Sequence, residues 1–201
     1  MGGRLRRGGM KALAALQQRR WFRRLAAWAR RHVAVREARQ DELAQVQHLA
    51  GGLATAPSLP GQRLTTFVAV SEPSLGGGGR REARPRLRRL LGCSQLLCNP
   101  DTEGILYPGV WLAFVLVEPK ARGAGLGMRL AFAVVEAAQT QGAARLLLVV
   151  DEDNRRAVEL YEKLGFARID FAPLRETLAR LEAKRGVGRL VMAKELGPPA
   201  P

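Results

Sequence analysis

Residues 110–127 read VWLAFVLVEPKARGAGLG. The eight residues from Val110 to Val117 form an unbroken apolar run of strand length, the pattern of a strand buried on both faces. Pro119 has no N–H to donate, so the ladder ends there. Gly123, Gly125 and Gly127 follow at alternate positions. Glycine lets the backbone turn tightly and lets N–H groups approach a ligand with no Cβ in the way. Helical periodicity begins at Leu126 and runs to Thr140, with Gly142 as its stop. The first N–H groups of that helix and the positive end of its dipole point at the glycine turn. Strand, glycine-rich turn and helix N-terminus together make an anion site suited to a pyrophosphate.

Two familiar owners of such a site fit poorly. A Walker loop needs Gly-Lys-Ser/Thr, which does not follow here. A dinucleotide fingerprint wants Gly-x-Gly-x-x-Gly near the first strand, whereas these glycines fall at 123, 125 and 127, past mid-chain. Further on, residues 154–166 read NRRAVELYEKLGF, a helix with Asp153 suited to cap its start and Gly165 to end it. The pair of segments resembles motifs A and B of the GCN5-related N-acetyltransferase superfamily. Arg122, Gly125 and Gly127 fill the pattern Arg/Gln-x-x-Gly-x-Gly/Ala, and Val117-x-Pro119 precedes it. Asn154, Tyr161 and Gly165-Phe166 fall where motif B has its Asn, its helix Tyr and its terminal Gly-Phe.

The resemblance implies an α/β (α+β) fold: a mixed, centrally splayed β-sheet flanked by helices, opened between the strands at Val110–Val117 and Leu146–Val150. It also implies acetyl-CoA as co-substrate, with no metal. The pantetheine arm would pair with backbone around Val115 and Val117, and the pyrophosphate would sit on Arg122, Gly123, Ala124, Gly125, Leu126 and Gly127. Asn154 would touch the cofactor or simply cap its helix. Tyr161 would be the catalytic acid that protonates the leaving thiolate, and an N–H near Val115 would receive the oxyanion. The implied function is an N-acetyltransferase in which a primary amine of a protein N-terminus, a lysine or a small molecule attacks the thioester directly, through a tetrahedral intermediate. No acid or His lies on the Val110–Val117 strand, which leaves Asp101, Glu103, Asp151 and Glu152 at neighbouring strand ends as candidate bases. A CoA-binding regulatory module and an RNA- or ribosome-associated protein are the alternatives.

Outward from this centre the chain alternates strand and helix. Strands are expected at Val33–Arg36, Thr65–Val70, Leu90–Leu97, Leu146–Val150, Phe166–Phe171 and Leu190–Lys194, and helices at Asp41–Ala50 and from Pro173 through Leu174, Leu178 and Leu181. The domain organisation reads as a basic extension over 1–31, an acetyltransferase-like domain over 32–196 and a Pro-rich tail over 197–201.

With 201 residues and a hydrophobic fraction of 47%, the chain suits one globular domain rather than disorder. No apolar run reaches the roughly 18 residues of a membrane span. Cys93 and Cys98 make neither a disulfide framework nor a zinc site, so a reducing compartment is the expectation. The net charge of +15 is concentrated: residues 1–36 carry +11 with no acid, residues 80–89 carry +5, and the rest of the chain sums to −1. Gly76–Gly79 and the Arg80–Arg89 cluster read as a solvated loop.

Met10 to Arg31 reads as an amphipathic helix with Trp21, Leu25 and Trp28 on one face and arginines opposite. Three readings stay open for it: an organelle-targeting leader, an interfacial membrane helix, or a helix docked on the main domain. An anionic membrane surface or RNA is the partner class it suggests. The location would be cytoplasmic, at the membrane surface if the helix binds one, or organellar if it is a targeting leader.

Overall fold

A computed structural model describes residues 23–51, 61–71, 88–100 and 108–197. Met10 to residue 22, the glycine loop with most of its arginine cluster, Asp101, Glu103 and the last four residues lie outside the described residues. Residues 23–32 form a helix, α1, which runs into β1 (Val33–Glu37). A 3-10 turn at Gln40–Glu42 leads into α2 (Leu43–Ala50). The β-branched and aromatic segment around Thr65–Val70 forms β2 (Arg63–Ser71), followed by β3 (Leu90–Asn99) and β4 (Gly109–Val117). Then come α3 (Leu126–Thr140), β5 (Arg145–Asp151), α4 (Arg155–Lys163), β6 (Ala167–Ile169), α5 (Arg175–Arg185) and β7 (Arg189–Glu195).

The strands lie in one sheet in the order β1-β2-β3-β4-β5-β7-β6. Its two halves are antiparallel, and they meet at the parallel neighbours β4 and β5. That junction is thin: the two strands are in register at a single pair, Trp111 opposite Leu147. Two residues further along β4, the β3–β4 ladder slips, with Gln95 opposite Phe114 but Leu96 opposite Leu112, so that Ala113 is the extra residue of a bulge. A bulge bends its strand and sharpens the local twist, which turns β4 away from β5.

The sheet is sandwiched. On one face α1, α3 and α4 pack around Leu96, Leu112, Leu130, Val134, Leu146, Leu148 and Met192. On the other, α2 covers Val68, Val70 and Cys93 through Val46, while Leu174 and Leu178 of the α5 region cover Trp111, Leu147 and Val191. Phe171 meets Trp111 edge-on at 5.5 Å, and the indole N–H of Trp111 donates to the Pro108 carbonyl at 2.9 Å. Cys93 and Cys98 are free thiols buried in clusters on opposite faces, so they cannot join each other.

Two sequence expectations need correction. β4 is not buried on both faces: Trp111 and Leu112 are buried, Ala113 is exposed, and Phe114 to Val117 are half-buried. The divergence from β5 removes the neighbour that would have covered them. The cap of α4 is Asn154 rather than Asp153; its side-chain oxygen accepts from the Ala157 N–H at 3.2 Å.

The α1 helix packs into the same core as the rest of the chain. Ala29 is fully buried in the α3-side cluster, Leu25 packs against it, and Arg129 of α3 ties the helix down from outside.

Candidate active site

The turn between β4 and α3 is pinned at three points and open between them. Ala121, Ala124 and Leu126 are buried, while Arg122, Gly123 and Gly125 face solvent. Gly123 and Gly125 have φ of +83° and +79°, a left-handed conformation that side chains disfavour. A Cβ on Gly125 would meet nothing within 4 Å, so the space above it is open.

Gly125 is the N-cap of α3, and no side chain caps the helix. The first return bond comes from Arg129 N–H to the Gly125 carbonyl at 3.2 Å. Among the described residues, the N–H groups of Gly123, Gly125, Leu126, Gly127 and Met128 have no acceptor. A cluster of free donors at the positive end of a fifteen-residue helix is a site for an anion.

The remaining wall comes from α4. A Cβ on Gly127 would stand 3.3 Å from Leu160 Cδ1 and 3.9 Å from both Val115 Cγ1 and Val117 Cγ2. Gly127 is therefore where β4, α3 and α4 come together, and Val115 and Val117 form the side of the cleft nearest the cradle.

Arg122 turns back on the strand: its Nε donates to the Val117 carbonyl at 3.2 Å and fixes the turn to the end of β4. Asn154 places its oxygen on the α4 cap, the helix-capping half of its expected role.

Tyr161 follows Leu160 on α4 and is 7% exposed. Its ring meets Phe166 edge-on at 5.9 Å, which holds it in place. Burial pushes its hydroxyl up to about 12. A phenol in such a setting stays protonated across the ordinary pH range and can donate a proton to a stronger base.

Of the candidate bases, Asp151 is committed elsewhere. Arg189 Nε lies 2.8 Å from Asp151 Oδ1 and Arg185 Nη1 lies 3.7 Å away. Glu152 sits on the loop beside Gly188. Among the described residues no group of three or more His, Cys, Asp and Glu side chains is placed to hold a metal ion.

Sequence reasoning missed three parts of this site: the Ala113 bulge, the Leu160–Gly127 contact and the Arg189 hold on Asp151. It also missed an open groove of about 730 Å³ beside the end of β4, on the α2 face, lined in part by Ala44, His48, Leu49, Leu90 and Glu118. Arg89 pairs with Glu118 at its rim.

Residues 87–166 match the acetyltransferase (GNAT) family, a span that holds β3, β4, the cradle, α3, β5 and α4. That segment of the chain is similar to the GNAT family. The chain is 45% identical over 65 residues to a mycothiol acetyltransferase of Paenarthrobacter aurescens, a match that covers 32% of the chain and 20% of that relative. It is 27% identical over 213 aligned positions to a mycothiol acetyltransferase of Pseudarthrobacter chlorophenolicus, covering 83% of the chain and 65% of the relative. It thus spans less than two thirds of the length of these curated relatives. Among solved structures, the GNAT fold here superposes on a chain of the NatC complex bound to Gag peptide and CoA with a TM-score of 0.56 and 15% identity, covering 83% of this chain and 99% of that one. That likeness is one of fold.

Proposed function

We propose that this chain is an acetyl-CoA-dependent N-acetyltransferase acting on a primary amine. One observation carries the reading: the unaccepted N–H groups of Gly123 and Gly125–Met128 lie at the mouth of a cleft that β4 opens beside Val115 and Val117. A pyrophosphate needs the first feature and an extended amide-bearing arm needs the second. The residues present therefore suit CoA, and the open space above Gly125 leaves room for its phosphates.

Bound acetyl-CoA would supply a thioester carbonyl for the amine to attack, with release of the CoA thiol. The chain's own contribution is placement and proton supply. Holding the two reactants together is worth on the order of 7 kcal/mol or more. Backbone N–H groups of β4 near Val115 serve as donors to the carbonyl oxygen. Tyr161 stays protonated across the ordinary pH range and acts as the acid that faces the departing sulfur, donating a hydrogen bond to it as the carbon–sulfur bond breaks.

The amine acceptor is of the class that the relatives' names span, from a small molecule to a peptide. Titration calorimetry with acetyl-CoA, with NAD and ATP as controls, tests the cradle. Thiol release across a set of peptides with free N-termini, lysine peptides and small amines tests the reaction. Selective acetyl-CoA binding with turnover on one acceptor is the expected result. Binding of NAD or ATP in preference to acetyl-CoA would overturn the reading.

A second reading is a CoA-binding module without turnover. It is favoured by β4, which carries no carboxylate or imidazole, and by the ion pairing of Asp151. Tight acetyl-CoA binding with no thiol release from any amine would select it.

A further inference from the structure

The docked side of α1 leaves its other side facing out. Ala29 is buried and Leu25, Ala26, Ala27 and His32 are half-buried, whereas Arg23, Arg24, Trp28, Arg30 and Arg31 are exposed. At 100° per residue the four arginines span an arc of about 120° centred opposite Leu25 and Ala29, and Trp28 stands at one border of that arc. No acid shares the helix.

Trp28 and Phe132 are the exposed large hydrophobic side chains among the described residues, at 41% and 50%. They belong to the two helices that Arg129 joins. Trp28 adjoins Ala29, whose carbonyl Arg129 holds, and Phe132 lies just under one turn beyond Arg129 on α3. Trp28 thus borders the arginine arc of α1, and Phe132 is exposed on the helix that Arg129 ties to α1.

We propose that this α1–α3 face docks on an anionic lipid bilayer. The chemistry is complementary at two depths: guanidinium groups take lipid phosphates, and the indole and phenyl rings enter the headgroup layer. The described helices contain none long and apolar enough to cross a membrane, so the contact is peripheral. A single-stranded RNA would use the same residue types, but it asks for a groove that tracks its backbone. The exposed side of a helix is convex and meets a plane better than it holds a strand.

The proposal is independent of the acetyl-transfer reading, and its test needs no turnover. The full chain is sedimented with vesicles of equal parts phosphatidylcholine and phosphatidylglycerol, and with phosphatidylcholine alone. Binding to the anionic vesicles only, weakening as salt rises, is expected. Arg24→Gln with Arg31→Gln should lower the partition coefficient roughly 25-fold at low salt, a factor of five per arginine. Trp28→Ala with Phe132→Ala should lower it as well and leave its salt dependence in place. All four side chains are exposed, so the thermal midpoint should hold in both variants and the loss be read as lost contact.

Three results would overturn the proposal. One is no binding to the anionic vesicles. Another is undiminished binding by both variants, which would place the contact elsewhere on the chain. The third is binding to a single-stranded RNA oligonucleotide, abolished by the arginine changes, with the vesicles ignored.

Discussion

Arg129 Nη2 donates to the Val33 carbonyl at 2.7 Å, joining α3 to the start of β1 across 96 residues of sequence. Its Nη1 reaches the Ala29 carbonyl at 3.1 Å, so one guanidinium holds both the end of α1 and the strand that follows it. Hydrogen bonds from a charged group are worth about 1.5–3 kcal/mol each where they are sheltered, and these two are partly buried. Arg129→Ala should therefore cost about 3 kcal/mol in urea unfolding, the low end for two such bonds. It should also raise hydrogen exchange at residues 25–33 ahead of the rest of the chain. Uniform exchange in the variant would show that α1 is held by Ala29 and Leu25 alone.

Gly125→Val should remove acetyl-CoA binding and leave a folded protein. A φ of +79° costs a β-branched residue about 2 kcal/mol, and its side chain would stand in the open space where phosphates are expected. Calorimetry checks the affinity and circular dichroism the fold. Unchanged affinity would count against the cradle.

Tyr161→Phe should lower turnover at least tenfold with little change in acetyl-CoA affinity. The same variant has a signature in stability. Tyr161 titrates near 10 when unfolded and near 12 when folded, so the unfolded chain loses this proton first. Wild-type stability should fall as pH rises from 10 towards 12, and the phenylalanine variant should lose that part of the decline. Equal losses of affinity and turnover would make Tyr161 a packing residue.

Glu42 behaves in the opposite sense. Arg36 grips both of its carboxylate oxygens, at 2.7 and 2.8 Å, and the Arg39 N–H donates to it at 2.9 Å. The Arg36 hydrogen bond is the leading cause that lowers it from 4.5 to about 2, against the opposing effect of burial. Below pH 4.5 the unfolded chain takes up the proton first, so this contribution is complete above that pH and is lost as pH falls to about 2. Glu42→Gln should destabilise the protein at pH 7 and flatten its acid limb between those values. An unchanged acid limb would mean that other carboxylates set it.

The cradle and its helix were legible in the sequence because their constraints are local. A glycine at φ near +80°, a proline that ends a ladder and an apolar stripe each act within a few residues. The same holds for α4, whose cap is one of two adjacent residues able to serve; only the turn geometry selects Asn154 over Asp153. The half-exposed end of β4 was not legible, since an apolar run reads alike whether its neighbour stays beside it or bends away. Ala113 gives no sign of being a bulge. The hold of Arg129 on Ala29 and Val33 is a bond to backbone carbonyls, which every residue carries, so its partners could not be read from residue types.

The single register pair between Trp111 and Leu147 has a consequence for solubility. Past that pair β4 is fourth of seven strands by position and an edge strand by bonding. Unpaired strand edges ordinarily recruit other chains and seed aggregates, so proteins blunt them with charge, proline or a covering loop. Here the edge lies in the middle of the sheet, with α3 and α4 over one face and α2 and α5 over the other. A narrow ligand can reach it while a second sheet cannot, which separates availability for binding from the hazard of self-association.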